Sequence, residues 1–308
     1  MILAVNLNAS LDKRYELEAL RCGEVIRARA VENTPGGKGL HVANVATILG
    51  EDCLATGFLG GKTGELIADR LAAYGVRHDF QPIAGETRAC LALISDDGAQ
   101  TEVLEPGPEV EPAEQKAFLK KYEALAQKAE VIVGAGSLPR RIAPAFYRTL
   151  IGIAQRCGKK FFLDTSGEPL ALGIAAKPYF IKPNRDEIEA LTGRKIESAA
   201  DAAREALCFA AEGVPLTAIS LGAAGSVAAF GGRVYRVRAP EIRAVNPVGS
   251  GDAFVAGMAV ATRRGYGIEE ALRFACACGT ANALEKESGF VTRRVVEELL
   301  PQVTVETL

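Results

Sequence analysis

The sequence predicts an α/β fold in which a mostly parallel central sheet, covered by helices on both faces, carries a small β lid. Three observations lead there. Short apolar runs alternate with helical patterns through most of the chain, two stretches near 11–31 and 86–105 look like strands with no helix between them, and the pattern turns helical from about residue 250. An alternating rhythm means parallel strands joined by helical crossovers, and ligands of such sheets bind beyond the carboxyl ends of the strands.

The elements follow in order. Met1-Ile-Leu-Ala-Val5 reads as a first buried strand, being too short for a signal-peptide core or a membrane span. Leu40 to Leu49 is apolar at helical spacing and stops at Gly50. Then come Cys53-Leu-Ala-Thr-Gly-Phe58 with a helix over 64–74, and Val131-Ile-Val133 with a helix over 143–156. Phe161-Phe-Leu163, Phe180-Ile181 with a helix over 185–192, and Ala218-Ile-Ser-Leu221 complete the strands, before helices near 251–264, 268–284 and 292–300. The two breaks in this rhythm, with Arg88-Ala-Cys-Leu-Ala-Leu-Ile94 the clearest strand, predict a small antiparallel sheet. A lone sheet of few strands must bury its apolar face elsewhere, as a lid over a site or as a subunit contact. One domain spanning 1–308 accommodates all of this.

Bulk properties exclude several functions. Net charge is −2, from 36 basic and 38 acidic residues with no Lys/Arg block, so nucleic acid and membrane are not expected partners. Seven scattered cysteines form no C-x-x-C pair, which points to a reducing, cytoplasmic setting rather than a disulfide framework. Only His41 and His78 are histidines, so Ser-His-Asp and His-rich zinc chemistry begin poorly supplied. Both read first as surface or satisfied polar residues, although His41 adjoins a glycine turn.

The strongest local signal is Asn246-Pro-Val-Gly249-Ser250-Gly251-Asp252, a glycine-rich turn opening into a helix. Backbone N–H groups and the helix dipole there can hold a migrating phosphoryl group. Asp252 either accepts the proton of an attacking hydroxyl or only complements the dipole, with Ser250 as a cap. Pro35-Gly36-Gly37-Lys38-Gly39 lets backbone approach a ligand and offers a cation, or is a plain turn. Gly60-Gly61-Lys62-Thr63 imitates the end of a phosphate-binding P-loop, but Thr56 stands where the motif requires its first glycine. Asn184 and Glu187, in Lys182-Pro183-Asn184, have the spacing of a capping box and equally of a pair facing nucleotide phosphates, organising Mg²⁺ through water. Ser220-Leu-Gly222-Ala-Ala-Gly225 permits close approach of a ligand. Gly136-Ser137-Leu-Pro139 follows a strand without the third glycine of a dinucleotide fingerprint, so a dehydrogenase finds no support.

In this order the motifs resemble the PfkB, or ribokinase-like, carbohydrate kinase family over essentially the whole chain, most of all its tagatose-6-phosphate kinase and 1-phosphofructokinase branch. The pieces are Asp12, Gly36-Gly37-Lys38-Gly39, Gly136-Ser137-Leu-Pro139, Asn184-x-x-Glu187, Ser220-x-Gly222 and Gly249-Ser-Gly-Asp252. The resemblance implies ATP and Mg²⁺ as cofactors, a ketohexose monophosphate as substrate and Asp252 as general base beside an anion pocket of Gly249, Ser250 and Gly251. Fructose 6-phosphate, an unphosphorylated sugar and a non-catalytic sensor are its alternatives. It further implies substrate contacts from Asp12, Gly36, Gly37, Lys38, His41 and Ser137, with Arg88 and more weakly Arg27 reading the phosphate. Lys182, Asn184, Glu187, Ser220, Gly222 and Gly225 fall along the nucleotide, Asn282 near adenine, and dimerisation through the lid is expected. One position departs from the family pattern: His41 stands where asparagine is usual.

Overall fold

The computed structural model describes residues 1–308. The chain runs β1 (Ile2–Asn6), β2 (Ser10–Leu17), β3 (Ala30–Gly36), α1 (Lys38–Ile48), β4 (Cys53–Gly60), α2 (Gly61–Ala73), β5 (Arg77–His78), β6 (Gln81–Ile83), β7 (Arg88–Ser95) and β8 (Gln100–Leu104). It continues through α3 (Pro112–Lys128), β9 (Val131–Ala135), α4 (Phe146–Arg156), β10 (Lys160–Asp164), α5 (Gly167–Ile174), β11 (Phe180–Ile181), α6 (Arg185–Thr192) and α7 (Ala199–Ala211). The last elements are β12 (Leu216–Ser220), β13 (Ser226–Phe230), β14 (Arg233–Arg238), α8 (Ser250–Arg264), α9 (Ile268–Ala283), α10 (Arg293–Leu299) and β15 (Thr304–Thr307).

The large sheet has the order β15-β14-β13-β12-β11-β10-β9-β1-β4-β5, with β6 alongside β4. From β5 to β12 every pairing is parallel, which explains why β1 and β9 are wholly buried apolar runs: helices cover them on both faces. Two apolar layers result. One side packs α1, α8 and α9 on the sheet through residues such as Leu40, Val260 and Leu272; the other packs α3, α4 and α7 through Phe118, Tyr147 and Phe209. Each fully buried large side chain contributes about 1.5–3 kcal/mol.

Two expectations need correction. The lid is a mixed sheet, not an antiparallel one: its order is β3-β2-β7-β8, and β2 pairs β7 in parallel, Ser10 opposite Arg88. These two strands are separated by a long stretch of the main domain, so no hairpin sets their direction. Its strands also occupy only 10–17, 30–36, 88–95 and 100–104, leaving 18–29 outside any strand and running β3 on into the glycine turn. At the other edge, β12 to β15 form an antiparallel set that the helical rhythm gives no sign of, with the C-terminal β15 returning to pair β14 after three helices.

Candidate active site

A cavity of about 600 Å³ lies between the lid and the carboxyl ends of the strands. Only 6 of its 34 lining residues are hydrophobic, which suits a ligand of hydroxyls and phosphates. The lid supplies Ser10, Asp12 and Arg88, the strand ends and loops supply Asn6, Asn8, Ser137 and Thr165, and the helix starts supply Lys38 and Asp252.

The glycine turn at 36–39 is dictated by what lies beneath it. Asn6, at the end of β1, is 1% exposed and its Oδ1 accepts from the Gly39 N–H at 3.1 Å. Gly37 has φ +111°, and a Cβ there would stand 2.7 Å from the Asn6 amide. The turn therefore needs glycine to sit on Asn6 while aiming Lys38 into the cavity.

Asp164 ends β10 and is 2% exposed. Lys38 Nζ reaches its Oδ1 at 3.2 Å and Lys182 Nζ lies 3.9 Å from the same atom. Burial pushes the Asp164 carboxyl up, yet Lys182 and Lys38 overcome this and hold it below its usual value. Lys38 in turn is raised, first by Asp164, against the cost of burial. Two cations are thus held around one buried carboxylate.

Opposite them begins α8. Gly249, at φ +86°, is its N-cap, and no backbone or side-chain acceptor within the chain takes the N–H groups of Gly251 and Asp252. These orphan donors, with Lys182 Nζ beside Gly251, make a cationic cradle for an anion. Asp252 itself is 6% exposed, and its Oδ2 lies 2.7 Å from His41 Nδ1. Ser250 caps nothing with its side chain.

At the sugar end, Ser10 Oγ donates to Asp12 Oδ1 at 2.6 Å, and Asn8 Nδ2 donates to Ser137 Oγ at 2.9 Å. Burial raises the Asp12 carboxyl against the pull of His41, Ser10 and Arg88. Arg88 is docked on the carbonyls of Glu105 and Asn8 at 3.0 and 3.2 Å and makes no direct salt bridge, Asp12 feeling its charge only at longer range. Gly36 packs directly on the Asp12 carboxylate.

Several expected site residues sit elsewhere. Arg27 is exposed outside any strand and does not line the cavity. Asn282 is wholly buried: its Nδ2 donates to Val248 O at 2.8 Å and its Oδ1 accepts from Gly289 N at 2.9 Å, so it fastens two cavity loops. Asn184 and Glu187 form the reciprocal capping box of α6 at 2.8 Å each way, with Glu187 Oε1 4.0 Å from Lys38 Nζ. Ser220 and Asn184 reach the cavity, whereas Gly222 and Gly225 do not line it; Gly225 instead packs against the backbone of β14. At the P-loop imitation, Glu86 accepts from the N–H groups of Lys62 and Thr63 and closes that helix end to any anion. His78 matches its default reading, bonded to Ala68 O, but His41 is a buried partner of Asp252.

Asn6, Asn8 and Asp164 were missed by motif reading. All three lie at or just beyond the carboxyl ends of apolar strands, and the rule that ligands gather there is the signal that points to them.

A doubly layered parallel sheet, a lid and a helix-start anion cradle facing a carboxylate define a phosphoryl-transfer enzyme of the α/β class. The family model described as pfkB family carbohydrate kinase matches residues 7–293, and the chain belongs to that family: it is an ATP-dependent sugar kinase. Among solved structures it is similar to a candidate phosphofructokinase of Staphylococcus aureus, at 30% identity and TM-score 0.87, over 100% of this chain and 99% of the other. It also resembles the phosphofructokinase-2 of Escherichia coli in complex with fructose-6-phosphate, at 26% identity and TM-score 0.90, over 98% of each chain. A candidate 1-phosphofructokinase of Thermotoga maritima matches at 25% identity and TM-score 0.90, over 100% and 99%.

Proposed function

We propose that the chain transfers the γ-phosphoryl group of ATP to a hydroxyl of a ketohexose monophosphate, fructose 1-phosphate or tagatose 6-phosphate, giving the bisphosphate, with Asp252 as general base. The observation that carries this is the start of α8, where a buried carboxylate adjoins unpaired N–H groups and the Lys182 ammonium. A carboxylate beside an anion cradle can take the hydroxyl proton as the phosphoryl charge is received by the N–H groups, a contribution of about 10²–10⁴ in rate.

Arg88 supports a phosphorylated substrate, because a guanidinium with no direct salt bridge at the sugar end of a polar cavity suits a phosphate dianion. Asp12 would hold sugar hydroxyls. The lid would exclude water that could otherwise hydrolyse ATP. Magnesium bound to ATP keeps most of its water, so a single carboxylate such as Glu187, acting through water, with Asp164 nearby, is a fitting protein share; no cluster of three acidic, His or Cys ligands is present. The metal would neutralise phosphate charge while Lys38 and Lys182 orient the chain of phosphates.

Fructose 6-phosphate is a second reading, favoured by the likeness to the Escherichia coli enzyme solved with that sugar. A cytoplasmic setting is supported by seven free cysteines, and self-association by the tetrameric form in which the Escherichia coli neighbour was also solved. No helix is long and apolar enough to cross a membrane.

The deciding experiment is a coupled ADP-release screen over fructose 1-phosphate, tagatose 6-phosphate, fructose 6-phosphate, fructose and ribose. Turnover is expected only with the phosphorylated ketohexoses; turnover with fructose or ribose alone overturns the substrate class. Asp252→Asn should lose at least two orders of magnitude in kcat while staying folded.

A further inference from the structure

His41 and Asp252 are 211 residues apart in sequence, yet α1 and α8 pack so that Nδ1 and Oδ2 meet at 2.7 Å. Two lone pairs cannot approach that closely, so one proton lies between them, and in the resting site it belongs to Nδ1 and is donated to the carboxylate. Oδ2 is thereby engaged, and Oδ1 is the oxygen left to receive a proton from an acceptor hydroxyl.

The ring is itself held. Gly289, at φ +67°, lies flat against it, so close that a Cβ there would come within 2.5 Å of the His41 Cβ, Cγ and Cδ2 atoms. Gly289 is fastened in turn by Asn44 Nδ2 on its carbonyl and by Asn282 Oδ1 on its N–H, each at 2.9 Å. A side chain clamped on one face and bonded through one nitrogen has a fixed orientation, and its Nε2 makes no bond within the chain while the ring lines the cavity.

We infer that His41 is the positioning residue of the base: it selects the carboxylate oxygen of Asp252 that acts, and its own protonation turns that base down. The inference rests on the reading of Asp252 as base. The charged groups facing the ring are Asp252 from α8, Asp12 from β2 and Glu287 from the loop after α9, all acidic, while Lys38 on α1 acts on Asp252. Burial lowers the imidazole, but the bond to Asp252 and the charges of Asp252, Asp12 and Glu287 outweigh it, and the net direction is upward from 6.5. As an imidazolium, the ring sets a full positive charge against the carboxylate and weakens it as a proton acceptor. The neutral ring keeps the same N–H···O bond without that opposition. Turnover should therefore rise with pH through a midpoint above 6.5.

The test compares the wild type with His41→Asn, His41→Ala and Asp252→Asn in the coupled assay, with saturating ATP and either fructose 1-phosphate or fructose 6-phosphate, from about pH 5.5 to 9. His41→Asn keeps an N–H donor that cannot titrate: most of kcat should remain and the rising limb should vanish. His41→Ala should lose about 10–100-fold in kcat with little change in KM for ATP. The inference is overturned if His41→Asn retains the limb at the same midpoint, and that variant decides the matter even where His41→Ala fails to fold. It is also overturned, alone, if Asp252→Asn is inactive while a folded His41→Ala keeps wild-type kcat. If Asp252→Asn itself turns over normally, the base reading fails, and this inference with it.

Discussion

Lys38 Nζ stands 3.2 Å from the carboxylate of Asp164, a residue almost without solvent exposure, and Lys182 shares the same oxygen at 3.9 Å. Removing the carboxylate would leave two ammonium groups facing each other at the cavity wall. Asp164→Asn is expected to cost about 3 kcal/mol, the usual loss when one partner of a buried pair is deleted. Because folding lowers this carboxyl below its ordinary 3.8, its stabilisation is complete above that value and fades as pH falls through the folded one. Melting curves at pH 7 should therefore separate wild type and variant fully, and curves at about pH 3, below the ordinary value of 3.8, should show a narrower gap. An equal gap at both pH values would remove the ion pair as the cause.

Arg88 offers a different readout. Its guanidinium is anchored on two carbonyls and meets no carboxylate, so a bound phosphate would be its first ionic partner. Loss of a charge-assisted bond of about 1.5–3 kcal/mol corresponds to roughly 10–100-fold in apparent affinity. Arg88→Ala should raise KM for the sugar phosphate by that factor and leave KM for ATP nearly unchanged. Equal effects on both substrates would count against a phosphate-reading role.

Asn282 allows a loop-fastening role to be separated from a nucleotide contact. If it fastens Val248 and Gly289 as the bonds indicate, Asn282→Ala frees a part-buried carbonyl and strands a buried N–H, the latter at about 1–3 kcal/mol. A lowered melting temperature in the absence of any nucleotide is the expected result. A side chain that only contacted adenine would leave the ligand-free melting curve where it was.

The bonds of Asn282 were less legible than the helix start at Asp252 because of what a sequence encodes. The parallel strands were legible because burial on both faces demands apolar runs such as Val131-Ile-Val133, and α8 because its glycine turn is local. Asn282 instead acts on residues 34 positions earlier and 7 later, contacts that no spacing announces. The same holds for His41 and Asp252, 211 residues apart. The direction of β2 against β7 was hidden for a related reason: periodicity gives the faces of a strand but not its neighbour, and here the neighbour is set by crossovers through the main domain. The capping box at Asn184 and Glu187 was readable as a local motif, whereas the approach of Lys38 to Glu187 was not.

The outer face of the lid gives the last prediction. Strand alternation puts Asp12, Arg88 and Cys90 toward the cavity, so Tyr15, Val31, Leu93 and Val103 fall on the opposite face. Register places Val31 and Leu93 on either side of Tyr15, with Thr101 next to Leu93, and Val103 beside Leu91 in the adjoining register, which makes a stepped apolar row rather than a straight one. Val31 is 48% exposed and Val103 49%, on the two edge strands of the lid. A second lid laid across this row would bury it. Val31→Glu combined with Val103→Glu should leave the cavity face intact and shift sedimentation from dimer to monomer at micromolar concentration, since buried like charges cannot be paired by the same surface of a symmetric partner. A wild-type monomer, or a double variant that sediments as the wild type does, would assign this row to something other than self-association.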